Sequence, residues 1–513
     1  MITRTARVGV ALRLANVRTS RPYWGRGLRS EHEQVINDWE TERLALVLAL
    51  NGYVLLATHV SYREVAAAAS PIDLLAAREQ MAISLGWHII LACLGVGMPA
   101  LTLFAEWRGL RTGEDAYRLL AHRWAKAMGV LFAVGAVSGT ILSFEMGLLW
   151  PGMMSRYGQV IGLPFALEGI AFFIEAIFLG IYLYAWDRLP PRQHLLSGIP
   201  IVVAGVCSAF FVVTANAWMN QPRGFDLTNG TVTGVDPWAA MFNPATPPET
   251  THMILAAFMV TGFVIASVYA VALLRGRLDR YHRLGFLIPF TAAAIITPVQ
   301  IAVGDYAARF LASNQPTKLA AIEGVYHTGS HIPLTVAGIP VGGQLRYGLE
   351  IPSGLSLLVG YSPNTVITGL DRVPAADRPP VGVVHLSFDV MVGIGSAFLL
   401  LGIWLGLSWW RRRDLPRTRW FLRAASVTGI AACCALEAGW VTTEVGRQPW
   451  IVWGQMRTAD AVNPAPGLIV GLVAVLAVYL VMTIGTVYVL RRMAQYHRFM
   501  VPQEHDAGVG AQR

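Results

Sequence analysis

The chain has 513 residues, 54% hydrophobic and only 14% charged, with a mean hydropathy of +0.49 and a formal net charge of +9. A soluble domain carries roughly 25% charged residues, so this composition excludes a soluble globular enzyme and indicates a polytopic membrane protein. The excess positive charge is dispersed in short stretches between apolar spans, which excludes a nucleic-acid-binding patch.

Residues 1–73 differ from the rest. Their first thirty are rich in arginine and lack any acid, and Ala45 to Val60 is apolar but too short for a full span. The segment is expected to be disordered, or absent from the mature protein through a mis-assigned start, with the real chain beginning near Ser70. From Gln80 onward the hydropathy predicts nine transmembrane helices, near 81–105, 124–149, 162–186, 197–219, 252–274, 284–304, 384–410, 420–443 and 467–490. The fold class is therefore an all-α polytopic membrane bundle. Residues 74–304 hold the first six spans, 305–382 a long connection, 383–492 the last three, and 493–513 a tail.

Arginines mark one set of loops: Arg108, Arg111, Arg118 and Arg123; Arg188 and Arg192; Arg275 to Arg283; Arg411 to Arg419; Arg491 and Arg492. By the positive-inside rule these loops and the C-terminal tail are cytoplasmic, and the 305–382 connection lies outside. That connection is rich in Gly and Pro, as at Gly338 to Gly343, and carries the run Thr317-Lys318-Leu319-Ala320-Ala321-Ile322-Glu323. Lys318 is one of only two lysines, the other being Lys126. No element is assigned within the connection, whose length marks it as functional or disordered. The four cysteines fall in apolar spans without CxxC spacing and read as small buried hydrophobes.

Ionisable residues inside spans are the functional candidates, because charge at that depth is costly. His88 and His252 lie within predicted helices, with His385 at the edge of one; each is a hydrogen-bonded core residue or an axial ligand to haem iron. Met391 is core packing or a thioether partner for His252, raised in interest by the intramembrane Asp389. Glu168 and Glu175 are seven residues apart, so they share a helix face about 10 Å from one another. Glu145, Glu437 and Glu444 add acids on other helices. Stacked buried carboxyls suit a proton relay, or alternatively the coupling site of a secondary transporter. The stretch Gly439 to Trp450 brings Trp440, Glu444 and Arg447 within about three turns, as a site wall or an interfacial helix end.

Taken together, Glu437-Ala438-Gly439-Trp440, Gly446-Arg447-Gln448-Pro449-Trp450, Ala215-Asn216-Ala217-Trp218-Met219, the Glu168-Gly169 helix and Thr317 to Glu323 resemble subunit I of the cytochrome bd quinol oxidases, from about Arg78 to Arg492. The resemblance implies a haem-binding bundle in a bacterial cytoplasmic membrane. His252 and Met391 match the axial pair of a low-spin b haem. His88 and Glu444 match ligands of two high-spin haems, one b and the other d or b, in either order. Trp440 matches an aromatic residue between haems, and Arg78 and Arg447 match residues that hold propionates. Lys318 and Glu323 match the quinol-binding loop, and Glu168 and Glu175 the acids that carry protons inward. A second membrane subunit is implied, with a small single-span accessory subunit also compatible. Membrane quinol would reduce O2 to water, the quinol's protons leaving outside and those of water coming from the cytoplasm. A haem-bearing electron-transfer subunit that does not itself reduce O2 is a further reading. Two departures stand out. Asp389 occupies a position held by Arg in the best-known members, and the loop is short, as in the cyanide-insensitive branch.

Overall fold

The structure, a computed structural model, describes residues 69–416 and 418–496. The expectations for most of the N-terminal extension and of the tail lie outside these residues.

Nine helices long and apolar enough to cross a membrane are present among the described residues. They are α1 (Pro71–Thr112), α2 (Asp115–Leu149), α3 (Pro151–Tyr184), α4 (Pro191–Asn220), α5 (Thr246–Leu274), α6 (Arg280–Asn314), α7 (Val381–Arg412), α8 (Arg419–Val445) and α9 (Leu468–Tyr496). Each predicted span is found, but most helices run past its ends. At 42 residues α1 reaches about 63 Å, twice a hydrocarbon core of about 30 Å. Hydropathy marks only the lipid-crossing part, whereas backbone hydrogen bonding continues into the interface.

Two boundaries move accordingly. The first helix begins at Pro71, not after residue 73, and the side chain of its N-cap Ser70 accepts the Asp73 N–H. Asp73 is buried and accepts the backbone N–H groups of Gly467 and Leu468 at 2.9 and 3.0 Å, tying the start of α1 to that of α9. The last helix reaches Tyr496, past the expected end at 492.

Consecutive helices pack as pairs, α1 with α2, α3 with α4, α5 with α6 and α7 with α8, while α5 also packs on α1, α4 and α8. Small residues permit this centrality. A Cβ at Gly97 of α1 would stand 2.5 Å from Thr261 Cβ of α5, and one at Gly262 would meet Pro289 O of α6 at 2.6 Å. Thr261 also donates to Cys93 O at 2.7 Å. Close backbone approach with interhelical hydrogen bonds is how helices associate where the surrounding lipid is as apolar as the side chains. The cysteines are unpaired, and Cys93 is packed in this core.

The 305–382 connection has more structure than its composition suggested. α6 extends to Asn314, and the short helix Pro316–Ile322 follows at once. Leu334–Val336 pairs antiparallel with Leu349–Ile351, enclosing the hairpin Ile339–Val341 with Gln344–Arg346. Gly342 and Gly343 both have positive φ, as a two-residue hairpin turn of the mirror type requires. Periods this short give no hydropathy signal, so the strands were not legible.

Replacing Gly97 with Ile is expected to cost about 1–3 kcal/mol through overpacking against Thr261. A lower thermal midpoint of the purified protein in detergent would show it; an unchanged midpoint would contradict the α1–α5 contact.

Candidate functional site

The polar residues of α4, α5 and α8 meet the short helix Pro316–Ile322 in one buried cluster. At its centre Asn220, the last residue of α4, is fully buried. Its Nδ2 donates to Glu249 Oε1 at 2.9 Å and to Asn216 Oδ1 at 3.3 Å. Its Oδ1 accepts from Lys318 Nζ at 3.0 Å and from Arg447 Nη1 at 3.5 Å. Gln315 Nε2 donates to the Asn220 carbonyl at 2.5 Å. Glu444, on the last turn of α8, accepts from Asn216 through one oxygen and from Arg447 through the other. Two carboxyls and two cations thus share a network stitched by amides, which lets the charges remain buried.

Burial lowers Lys318 from the usual lysine range, with Arg447 acting in the same sense and Glu249 and Glu444 opposing. Arg447 is only 2% exposed, and its Nε finds no partner. A buried guanidinium with an idle N–H suits a carboxylate ligand.

The sequence had placed Lys318 and Glu323 together. The structure separates them: five residues apart on a tight helix, they face different ways. Glu323 is buried in the electrostatic field of Asp389, and its carboxyl is pushed up to about 7, chiefly by burial and then by Asp389. His385 is buried beside them. Its Nδ1 lies 2.7 Å from Ile322 O, and its Nε2 lies 3.4 Å from Asp389 Oδ2. Because a carbonyl only accepts, Nδ1 carries a hydrogen, which settles this borderline histidine as a strut between α7 and the outer connection.

His252 and Met391 sit on α5 and α7, which both pack on α6 and α8. His252 Nδ1 is buried without a partner. Each donor lies against a glycine: a Cβ at Gly304 would stand 3.5 Å from His252 Cε1, and one at Gly439 would stand 2.8 Å from Met391 Sδ. His88 is different, since its Nδ1 lies 2.7 Å from Ser138 Oγ. That hydroxyl gives its own proton to Gly135 O at 2.9 Å, so it accepts from the imidazole. Nδ1 then bears the hydrogen, and Nε2 keeps its lone pair, as a metal ligand must.

Glu437, Trp440 and Glu444 follow one face of α8 at spacings of three and four. Glu437 Oε1 is buried without a partner, and a Cβ at Gly86 would stand 2.9 Å from Glu437 Oε2. This face therefore looks toward α1 near His88. Trp440 is half-buried, and Arg78 is exposed on α1. On α3, Glu175 is buried and Glu168 accepts from Ser208 Oγ of α4 at 3.3 Å.

Sequence reasoning gave no role to Asn216, quoted only as part of a motif, and missed Asn220, Gln315, Glu249 and Ser138. Two signals were present. Asn216 and Asn220 are one turn apart in a span, and Glu249 precedes His252 by three residues on the same helix face. Ser138 gave none.

Among the described residues no three His, Cys, Asp or Glu side chains converge as a metal cage. Donors stand singly or in pairs on packed helices, which fits iron whose remaining ligands come from a macrocycle. The bundle and its donors thus define a helical membrane protein with sites suited to haem. The sequence profile of the cytochrome bd terminal oxidase subunit I family matches residues 76–498. A Bacillus subtilis (strain 168) protein named as a cytochrome bd menaquinol oxidase subunit I is 37% identical over 427 residues, 82% of this chain and 96% of that one. The cytochrome bd ubiquinol oxidase subunit 1 of the same organism is 30% identical over 429 residues, 80% of this chain and 91% of that one. The structure of the bd oxidase from Geobacillus thermodenitrificans matches with a TM-score of 0.77 and 40% identity, over 83% of this chain and 98% of that chain. The chain belongs to the cytochrome bd oxidase subunit I family, and this membership removes the transporter reading.

If His88 holds iron as the resemblance implies, Ser138→Ala is expected to release its tautomer and weaken retention there by about tenfold or more. Absorption spectra of the reduced protein with and without carbon monoxide should show less CO-reactive high-spin haem with the low-spin band unchanged. Full high-spin content would remove Ser138 from this role.

Proposed function

We propose that this chain is the catalytic subunit of a quinol:oxygen oxidoreductase. The observation that carries this reading is the buried junction of Lys318, Glu249, Glu444, Arg447 and Asn220, which joins the outer connection to the ends of α4 and α8. It links a quinol-facing surface to the helices bearing the haem donors. The two Bacillus relatives carry the names of a menaquinol and a ubiquinol oxidase, so the shared substrate chemistry is a membrane quinol. A terminal oxidase of this family works with a second membrane subunit, and the apolar exterior of α3, α7 and α9 offers surface for it.

His252 and Met391 would hold a low-spin b haem. His88 and Glu444 would hold the two high-spin haems, one b and the other d or b, with Arg447 toward a propionate and Arg78 nearer solvent. When bound, these groups supply one-electron carriage and the iron at which O2 is reduced. The protein's own residues manage protons. Glu323, at the C-cap of the short helix, would accept a proton from a quinol hydroxyl, while Lys318, turned to Asn220 on another face, would carry charge on the side of the junction. Glu168 and Glu175 carry protons from the arginine-rich side, which the positive-inside rule makes cytoplasmic together with the C-terminus. Trp440, between Glu437 and Glu444, closes the site wall against lipid.

Oxygen consumption with reduced quinol tests the whole reading. His252→Ala and Glu444→Ala are each expected to abolish it, and wild-type turnover in either variant would remove that residue. The pH profile tests Glu323 separately. Its carboxyl, raised to about 7, is neutral below that pH and ionised above. As a base it works when ionised, so quinol oxidation should rise as pH passes upward through that value. Glu323→Gln should flatten the rise, and an unchanged profile would exclude Glu323 as the acceptor.

A further inference from the structure

The 305–382 connection carries an apolar surface that the bundle leaves bare. In its hairpin Ile339 pairs with Arg346, Pro340 with Leu345 and Val341 with Gln344. Directly opposed residues share a face of a two-stranded ribbon, so Pro340 and Leu345 point one way and Ile339 and Val341 the other. The first face is seated on protein. A Cβ at Gly324 would stand 2.7 Å from Leu345 Cδ1, and one at Gly338 would stand 3.1 Å from Leu345 Cβ. Gly324 directly follows Glu323, so Leu345 covers the turn beside that carboxyl. On the second face Ile339 and Val341 are exposed, as are Val336, Leu349 and Ile351 of the adjoining strand pair.

The helices fix the depth of this surface. Arg411 and Arg412 close the last turn of α7 beside exposed Trp409 and Trp410, the composition of a headgroup boundary. A hydrocarbon core takes about 20 helical residues, so counting back from Arg411 ends it near Met391. Counting the same distance along α8 from Arg419 reaches Gly439. A Cβ at Gly439 would stand 2.8 Å from Met391 Sδ, so the two counts meet. Asp389 lies about 3 Å beyond that boundary. Its carboxyl comes within hydrogen-bonding reach of the Ala337 backbone N–H, and Ile339–Val341 itself packs on α7. Ala337 has a φ of 58°, a left-handed corner that turns the chain from one strand pair into the other. The hairpin is thus held at the edge of the hydrocarbon.

The chemistry of the bare face suits that depth. Its branched apolar side chains are flanked by exposed Arg346 and Tyr347, and basic and phenolic groups are the ones that meet phosphate and headgroup. The hairpin of Asp226–Thr228 with Thr231–Thr233, at the same end of the bundle, exposes Thr228, Thr231 and Thr233 instead. Apolar exposure is therefore particular to the first hairpin.

We propose that the hairpin Ile339–Arg346 is a lipid-seated anchor: Ile339 and Val341 enter the acyl chains of the leaflet away from the arginine-rich loops, and Arg346 meets lipid phosphate. The occupant of the bare face is bilayer glycerophospholipid. Its hold on one face keeps Leu345 against Gly324 on the other, so lipid steadies the turn beside Glu323. The proposal needs only the membrane-spanning bundle and stands apart from the oxidase reading.

The test uses the full chain with its partner subunit in bilayer discs of phosphatidylcholine and phosphatidylglycerol. Nitroxide labels are placed on single added cysteines, and the signal of the native cysteines is measured on the unsubstituted chain. A label at Val341→Cys is expected to collide with O2 several-fold more often than with a water-soluble nickel chelate, and one at Thr231→Cys to show the reverse. Equal or greater collision with the chelate at position 341 would put the hairpin in water and overturn the proposal. Shielding from both reagents would mean that protein covers the face, and would overturn it as well. Trypsin gives an independent readout. Val341→Asp should unseat the hairpin and raise cleavage after Arg346 several-fold at an unchanged thermal midpoint, while Val341→Leu should be cleaved as the wild type is. Wild-type cleavage in Val341→Asp would count against the anchor, and a lowered midpoint would assign the cleavage to unfolding and overturn it.

Discussion

The structure depends on keeping charge buried without leaving it unpaired. Transferring an ion from water to a low-dielectric interior costs several kcal/mol even after relaxation, a cost offset only by close partners and satisfied hydrogen bonds. The junction around Asn220 meets that condition for two acids and two cations at once. A single amide gives its N–H groups to Asn216 and Glu249 while its oxygen accepts from Lys318 and Arg447. Because these residues come from α4, α5, α8 and the outer connection, satisfying the charges also fixes how those elements dock. The idle Nε of Arg447 and the unpartnered Oε1 of Gln315 are where the network points beyond itself.

Glycine supplies the complementary half of the design. Gly304 stands against His252, Gly439 against Met391, Gly139 against His88 and Gly86 against Glu437. Each leaves a ligand-type side chain beside bare backbone, where a larger residue would fill the space. On the other side of the bundle the same device recurs along α4, with Gly198 and Gly205 facing the ring and carboxyl of α3. Both the donor region and the α3–α4 contact thus place a polar or ligand-type side chain opposite the smallest residue.

Single residues in helices show why parts of the site were legible and others were not. Glu168 and Glu175 announce themselves, since acids are scarce in apolar spans and a seven-residue interval fixes their common face. Tyr182 continues the interval but is an ordinary residue at a membrane interface, and its buried hydrogen bond to Glu106 is not legible from spacing. Lys318 was conspicuous by rarity, yet its direction was not: spacing on a short helix does not say which face is covered. Glu323 and Lys318 consequently diverge, one toward Asp389 and the other toward Asn220. Ser138 is one of many helical serines, and only its 2.7 Å contact with His88 distinguishes it.

The sequence by itself determined the nine spans, their arginine-marked ends, the family and which buried ionisable side chains are candidates for binding iron or moving protons. These are one-dimensional properties, because lipid imposes a minimum apolar length and charge in that length is too costly to occur without use. Only the tertiary structure decided which buried charges share a network, which histidine nitrogen is left free, and how the 305–382 connection folds on the bundle. Those depend on residues far apart in the chain coming within hydrogen-bond range, a condition that periodicity along one helix does not encode.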